Sequence, residues 1–248
     1  MIIGIDLHGT LLGKNWSIAE NLVEPLNETL ARLNEKAKIY TCTGNDLSFT
    51  RAHIPSSIRK YFSGYVLETG CVISDKEKEK RITTKEERKT IKDLKKRIKE
   101  RKFSFDFMRR RLNSITMFSK NPKKLYAEID NFLKEEKINK VNFFWSDVAV
   151  DIVPSGYSKY TGLKLISNND ETIAIADSMN DASLINNVDY GFIPANAPEE
   201  LLTYIKKKGK RSINIREISH LDSSNVIQAN KERTEGVIEI LNFIGGLL

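Results

Sequence analysis

Reactive side chains follow several short apolar runs in this sequence. Asp6 and His8 come just after IIGI, Thr43 follows KIYTC, and Asp177 closes the run ETIAIAD. Lys159 stands at the start of a later helical pattern. Carboxylates beside a lysine and the free amides of turns are groups that bind a hard divalent cation and a phosphoryl group. These residue types therefore predict a site for a metal ion and a phosphate.

The elements around these residues predict how they come together. Apolar runs alternate with amphipathic helical patterns, the first opened by a capping box of Ser17 and Glu20, which indicates a parallel sheet with right-handed crossovers. The carboxyl ends of parallel strands meet at one edge, so residues distant in the sequence can share a crevice. Singly, each has an ordinary structural explanation: Thr43 could cap a helix, Lys159 could be a surface charge, and Asp181 could be an acid in a first helical turn.

The pattern of elements changes in the middle of the chain. Residues 76–154 contain a basic helix, the strand-like LNSITMFSK, a second helix in NPKKLYAEIDNFLKEEK, and two strand-like runs joined at Ser146 and Asp147. Such a mixture is typical of a separate α+β module. We therefore predict a doubly wound, Rossmann-like α/β core of residues 1–75 and 155–248 that is interrupted by an α+β cap.

The basic charge is concentrated in one segment. The chain carries a formal net charge of +7, and residues 76–111 hold 17 lysines and arginines against 7 acids. Within this segment Ile91, Leu94 and Ile98 have helical spacing with charge on the other sides, which predicts an amphipathic helix. A solvated helix face explains this pattern, and attraction of an anionic ligand or nucleic acid is the alternative. Aromatic residues are not interleaved among the lysines, which argues against nucleic acid.

Length and composition limit the class of protein. A chain of 248 residues with 40% hydrophobic residues is large enough for a full core. No apolar run approaches the roughly 20 residues that cross a bilayer, and the N-terminus enters a strand without a charged region or cleavage site. We therefore expect a cytoplasmic protein without a membrane partner. Cys42 and Cys71 show no metal-binding spacing and are expected in the core.

Four short motifs in this order resemble those of the haloacid dehalogenase superfamily, in particular its Cof-like branch of small-molecule phosphatases. They are DLHGTLL, YTCTGND, PSGYSKYTGLK and AIADSMNDASLI, and the Cof-type segments VLETGCVIS, VDIVPSGYSK and YGFIPANAPEEL extend the resemblance over most of the chain. The first and last motifs are specific together, whereas the threonine motif is weak alone. The resemblance implies a Mg²⁺ cofactor and a small phosphorylated substrate.

The resemblance also implies a role for each residue of the site. Asp6 would be the nucleophile that forms an aspartyl-phosphate. Mg²⁺ would be bound by Asp6, the backbone carbonyl of His8 and Asp177. Asp181 would bind the ion directly or support one of its ligands. The other motif residues would contact the phosphoryl oxygens and the rest of the substrate: Thr43, Gly44, Asn45, Lys159 and Asn180.

His8 is the main departure from the family pattern. Relatives have a second aspartate here, which acts as general acid and base. The resemblance implies that histidine in place of aspartate still permits metal binding, because this position contributes only its backbone carbonyl oxygen. An imidazole can also transfer protons near neutral pH; the alternative is that His8 only fills the space and the protein is slow or inactive as a phosphatase. Asn45, where many relatives have arginine, and Ala176, where they have glycine, are smaller departures.

The expected function is hydrolysis of a small phosphorylated metabolite, such as a sugar phosphate or a phosphorylated carboxylic acid. A phosphomutase or phosphotransferase with the same intermediate, and a catalytically impaired phosphate- or nucleic-acid-binding protein of this fold, are the alternatives. Relatives select substrates with their caps, and MRRRLNS supplies three arginines for a second anionic group. Alternation in a strand would place Arg109 and Arg111 on one face and Arg110 on the other.

Overall fold

A computed structural model describes residues 1–13, 15–76 and 78–248 of the chain. The strands of the described residues form two β-sheets. In chain order the strands are β1 Ile2–Ile5, β2 Lys38–Cys42, β3 Phe62–Leu67, β4 Val72–Asp75, β5 Glu79–Arg81, β6 Phe107–Met108, β7 Ile115–Phe118, β8 Val141–Trp145, β9 Ala149–Pro154, β10 Thr172–Ile175, β11 Tyr190–Ile193, β12 Arg211–Asn214 and β13 Asn225–Gln228.

The larger sheet has the strand order β12-β13-β11-β10-β1-β2-β3-β4-β5. Its strands from β12 to β3 pair in parallel, and β4 and β5 add an antiparallel edge. The central strand β1 is buried throughout, with Ile3 and Ile5 in one apolar cluster and Ile2 in another. This burial on both faces explains why β1 reads as a continuous apolar run.

Helices cover both faces of the larger sheet, as in a doubly wound fold. Helices α1 and α9 share an apolar cluster on one face, and α6, α7 and α8 share the cluster on the other. The predicted α/β class is therefore confirmed. The helices are α1 Glu20–Asn34, α2 Leu47–His53, α3 Ser56–Arg59, α4 Lys85–Glu100, α5 Pro122–Glu135, α6 Lys159–Ser167, α7 Ala182–Asn187, α8 Glu199–Lys207 and α9 Arg233–Leu247.

The smaller sheet forms the cap together with α4 and α5. Its four strands are antiparallel in the order β6-β7-β9-β8. Helix α4 is the predicted basic helix, and it buries Ile91, Leu94 and Ile98 in an apolar cluster shared with both helices and the sheet. The charged residues of α4 thus surround a stripe that packs on the cap, as the helical spacing predicts.

The predicted start of the cap at residue 76 lies one strand too early. Strand β5 follows that position, yet it pairs with β4 at the edge of the larger sheet. Ser74, near the end of β4, also donates a hydrogen bond to the carbonyl of Lys78, the residue before β5, at 2.9 Å. The predicted end of the cap, at residue 154, coincides with the last residue of β9.

The prediction of a capping box at Ser17 is wrong. Helix α1 begins at Glu20, its N-cap residue is Ala19, and no side chain caps it. The carbonyl of Ser17 instead accepts a hydrogen bond from the amide of Gly13 at 2.9 Å, and the intervening Ile18 is buried. Anchoring this segment to the loop after β1 therefore takes precedence over a local cap.

Close packing of glycines fixes helix α6 on the larger sheet. A Cβ at Gly162 would lie 2.5 Å from Val66 Cγ1 and 3.0 Å from the Cα of Gly70. Gly70 itself has a φ of +88°, and a Cβ there would collide with the carbonyl oxygen of Ser158. The first turn of α6 can approach the sheet this closely only because both positions lack a side chain.

Among the described residues, no helix is both long and apolar enough to cross a membrane.

We predict that Gly162→Ala destabilises the protein by about 1 to 3 kcal/mol, because the added methyl group overpacks the contact with Val66. Urea unfolding measures the change. Gly246→Ala is the matched control: Gly246 also lies in a helix, but a Cβ there meets nothing within 4 Å. The control is expected to keep or gain stability. Equal losses in both variants would contradict the packing argument.

Candidate active site

Three buried carboxylates meet at the carboxyl ends of the central strands. Asp6 directly follows β1, and Asp177 and Asp181 lie in the segment after β10. One oxygen of each lies within 4.8 Å of the others, and all three residues are buried. The structure therefore brings together the acidic residues predicted from the first and last motifs.

Lys159 places a positive charge among these acids. Its Nζ lies 2.6 Å from Asp6 Oδ1, 2.6 Å from Asp181 Oδ1 and 3.4 Å from Asn180 Oδ1. Lys159 is the first residue of α6, directly after the N-cap Ser158, and it is only 1% exposed. Burial alone would lower the pKa of Lys159, but the carboxylates of Asp181 and Asp6 raise the pKa above its usual value. The lysine is therefore a fixed ammonium ion.

Two residues that the sequence analysis did not single out hold Asp177. Thr10 Oγ1 donates a hydrogen bond to Asp177 Oδ1 at 2.7 Å, and Asn196 Nδ2 donates to Asp177 Oδ2 at 3.0 Å. Asn196 also donates to the carbonyl of Gly9 at 2.9 Å. Gly9 has a φ of +83°, and a Cβ there would collide with the Asp177 carboxylate. The loop after β1 thus fixes the orientation of this carboxylate.

The charges of the cluster do not cancel. Burial raises the pKa of Asp177 well above its usual value, and the charge of Asp6 raises it further, against the hydrogen bond from Thr10. Burial likewise raises the pKa of Asp181 to about 7, although Lys159 opposes this shift. When all three acids are deprotonated, three carboxylates and one ammonium leave an excess of negative charge in a buried place. A divalent cation with oxygen ligands, such as Mg²⁺, fits this set of donors.

Thr43, Gly44 and Asn45 form the wall next to Asp6 and Lys159. The hydroxyl of Thr43 accepts a hydrogen bond from the amide of Asn45 at 3.1 Å and another from Asn45 Nδ2 at 3.3 Å. All three residues line a cavity of about 40 Å³ together with Asp6 and Lys159. Asn180, at 3.4 Å from the lysine, also lines the cavity.

The cap closes this cavity from the other side with charged residues. Arg111 and Asp151 both line it, and both are buried. Asp151 Oδ1 accepts a hydrogen bond from Thr116 Oγ1 at 2.5 Å. Burial raises the pKa of Asp151, whereas the charge of Arg111 opposes the shift. Asp151 is not among the site residues predicted from the sequence, which gave it no role. The feature of the sequence that marks it is a lone acid between the apolar residues of AVDIVP.

His8 lies between this small cavity and a larger one of about 580 Å³, and it lines both. Its ring packs on Trp16, with 3.9 Å between the ring centroids. His8 Nδ1 lies 3.5 Å from Asp147 Oδ1, which belongs to the turn between β8 and β9 of the cap. His8, which replaces the aspartate of the family pattern, thus contacts Trp16 of the core and Asp147 of the cap.

The arginines of MRRRLNS do not follow the predicted alternation, because strand β6 ends at Met108 before them. Arg111 is buried in the small cavity, and Arg110 is exposed. Arg109 lines a different cavity, and its guanidinium lies 5.3 Å from the centre of the Phe49 ring. Arg109 and Arg111 therefore do not share one face of a strand.

Comparison with known proteins gives the class. Residues 3–126 and 106–212 match the family model described as haloacid dehalogenase-like hydrolase, and the chain belongs to this family. The expected resemblance to the Cof-like branch is confirmed. No curated protein matches the chain.

Solved structures share the fold over nearly the whole chain. The sucrose-phosphatase of Synechocystis, solved with sucrose and phosphate, has a TM-score of 0.73 at 20% identity and covers 98% of both chains. A proposed HAD/COF-like hydrolase of Plasmodium vivax has a TM-score of 0.75 at 16% identity, covering 100% of this chain and 96% of that one. A haloacid dehalogenase-like hydrolase of Bacteroides thetaiotaomicron has a TM-score of 0.63 at 17% identity, covering 98% of both chains.

We predict that Mg²⁺ raises the melting temperature more as pH increases from about 5 to about 8. In the metal-free protein the pKa values of Asp177 and Asp181 are raised, so protonation stabilises the folded state. This contribution is lost as pH rises through the folded pKa, about 7 for Asp181. Mg²⁺ binds the deprotonated carboxylates and compensates for the loss.

Scanning calorimetry with Mg²⁺ and with a chelator measures this difference. Asp177→Asn is expected to remove most of the Mg²⁺ effect, whereas Asp93→Asn, which changes an exposed acid of α4, keeps it. An Mg²⁺ effect that is independent of pH, or equal in both variants, would contradict a metal site at these carboxylates.

Proposed function

We propose that the protein is a Mg²⁺-dependent phosphatase of small phosphorylated metabolites, with Asp6 as the nucleophile. The observation that carries the proposal is the position of Lys159 Nζ, 2.6 Å from Asp6 Oδ1 in a cavity also lined by Thr43. A buried ammonium beside a carboxylate offsets the repulsion between that carboxylate and an anionic substrate. The sucrose-phosphatase neighbour, with its bound sucrose and phosphate, supports the same class of chemistry.

In the first step the Asp6 carboxylate attacks phosphorus, and the bond between phosphorus and the leaving oxygen breaks. In the second step water attacks the phosphorus of the aspartyl-phosphate, the bond between phosphorus and the Asp6 oxygen breaks, and inorganic phosphate and the free carboxylate are released. One difficult displacement thus becomes two easier ones. Lys159 and Thr43 bind the non-bridging oxygens in both steps. Bound Mg²⁺, held by Asp6 and Asp177 with Asp181 close by, supplies charge neutralisation of the phosphoryl group.

His8 is the proton-transfer group of this proposal. It donates a proton to the leaving oxygen and then accepts one from the attacking water. Its ring lines the cavity that contains Asp6, and Trp16 and Asp147 restrict its orientation. The contact with Asp147 comes from the cap, so both the core and the cap help to position His8.

We expect Asp6→Asn to abolish the release of phosphate from a panel of phosphate monoesters, because the amide is a poor nucleophile. Wild-type activity is expected to require Mg²⁺ and to disappear with a chelator. Asp93→Asn is the matched control and keeps full activity, since Asp93 is exposed on the cap. Phosphate release that persists in Asp6→Asn would show that another group performs the chemistry.

We expect His8→Ala to lower kcat on alkyl phosphates by about 10² to 10⁴, the usual contribution of a positioned acid and base. The loss is expected to be smallest on a nitrophenyl phosphate, whose leaving group needs little protonation. His8→Asp is expected to retain activity and to shift the acidic limb of the pH profile downwards, because a carboxylate titrates below an imidazole. If His8→Ala is harmless on alkyl phosphates while His8→Asp increases activity strongly, His8 only occupies the site.

A further inference from the structure

The guanidinium of Arg111 is buried without enough partners. Arg111 is 7% exposed, and its Nη2 donates a hydrogen bond to Asn45 Oδ1 at 3.1 Å. Its Nε and Nη1 are buried and have no hydrogen-bond partner. Among residues 1–13, 15–76 and 78–248, no carboxylate forms an ion pair with it within 4.0 Å. A buried charge with two unused donors is costly unless another group binds it.

The two acids with the largest charge effect on Arg111 are Asp151 and Glu68, and both form hydrogen bonds with other residues. Glu68 Oε2 accepts hydrogen bonds from Asn113 Nδ2 at 3.3 Å and from Ser114 Oγ at 3.1 Å. Asp151 Oδ1 accepts the hydrogen bond from Thr116. Both acids influence Arg111 through their charge, yet neither reaches its free N–H groups. The donors are therefore left for a group that enters the cavity.

Arg111 lies near the proposed phosphoryl position. Its Nη2 contacts the side chain of Asn45, and Asn45 in turn donates to the hydroxyl of Thr43. Arg111, Thr43 and Asp6 line the same cavity, which has a volume of only about 40 Å³. An anionic group bound to Arg111 would thus lie close to the phosphoryl group bound at Asp6 and Thr43. A short substrate can carry both groups.

We propose that Arg111 binds a second anionic group of the substrate, a carboxylate or a second phosphate, on the leaving-group side. A planar guanidinium with two adjacent free donors matches the paired oxygens of such a group. This inference rests on the proposed phosphatase function and narrows its substrates to short phosphomonoesters with two anionic ends.

The test compares kcat/KM for four short phosphomonoesters that differ at the far end. They are 2-phosphoglycolate with a carboxylate, ethylene glycol bisphosphate with a second phosphate, 2-hydroxyethyl phosphate with a neutral hydroxyl, and 2-aminoethyl phosphate with a cation. One of the doubly anionic esters is expected to exceed the neutral ester at least about tenfold, and the cationic ester to be slowest. The carboxylate and the bisphosphate distinguish the two sources of the anion.

Arg111→Gln removes the charge, and the ratio of anionic to neutral kcat/KM is expected to fall to about one. Arg110→Gln is the matched control, since Arg110 is the exposed neighbour in the sequence, and its ratio is expected to equal that of the wild type. Arg111→Lys keeps the charge without the planar fork and covers the case in which Arg111→Gln does not fold; its ratio is expected to fall severalfold.

Two results would overturn the inference: no preference for an anionic end in the wild type, or an unchanged ratio in Arg111→Gln and Arg111→Lys. Failure of the phosphatase function would look different, because no ester would be hydrolysed whatever its far end. Calorimetric binding of 2-phosphoglycolate and 2-hydroxyethyl phosphate to Asp6→Asn protein then still tests Arg111. Tighter binding of 2-phosphoglycolate that disappears in the Asp6→Asn, Arg111→Gln double variant supports the inference, and equal binding of both esters refutes it.

Discussion

The ion pairs of Lys159 are the constraint on which the site depends. An ammonium that is 1% exposed is tolerated only because Asp6 and Asp181 both lie 2.6 Å away. Removal of the lysine would leave buried carboxylates facing each other, at a cost of about 3 to 5 kcal/mol. The close approach of α6 to the sheet at Gly70 and Gly162 serves this geometry, because it delivers the first helical residue to the strand ends.

The core and the cap divide the chemistry between them. The core supplies the carboxylates, the lysine and the threonine, all next to strand or helix ends where backbone positions are rigid. The cap supplies Arg111, from the segment after β6, and Asp151, from β9, and both line the same cavity. Glu68 joins the two parts through Asn113 and Ser114, so the loop after β3 orders the cap segment that follows the arginines. In the proposed function, the cap therefore carries substrate selection and the core carries the reacting groups.

Site residues that belong to short sequence motifs could be predicted from the sequence. Residues that reach the site only through contacts distant in the sequence could not. Asp6, Lys159 and Asp177 stand at ends of regular elements, where a short motif identifies them. Thr10 reaches the site through its hydrogen bond to Asp177, more than 160 residues away, and Asn196 joins Asp177 to the carbonyl of Gly9. No spacing in the sequence predicts these contacts. The start of α1 differs from the prediction for another reason: the carbonyl of Ser17 accepts a local hydrogen bond from the amide of Gly13, and the helix begins three residues later, at Glu20.

Asp151 and the arginines show the same limit in the cap. A lone acid within an apolar strand signals a buried polar site, but its partner Thr116 is fixed by the pairing of β7 with β9, which lie more than 30 residues apart in the sequence. Alternation predicted the faces of three arginines on the assumption that a strand continues through them. Strand β6 is only two residues long, so the arginines follow an irregular segment and Arg111 alone enters the cavity.

The two tryptophans of the chain lie on opposite walls of the larger cavity beside the site. Trp16 belongs to the core and packs on His8, and Trp145 belongs to the cap and has the ammonium of Lys123 5.1 Å from its ring. Indole emission responds to nearby charges and to access of water. All tryptophan fluorescence of this protein therefore originates in the walls of this cavity, and the unmodified chain carries its own optical reporter of charges and water that enter it.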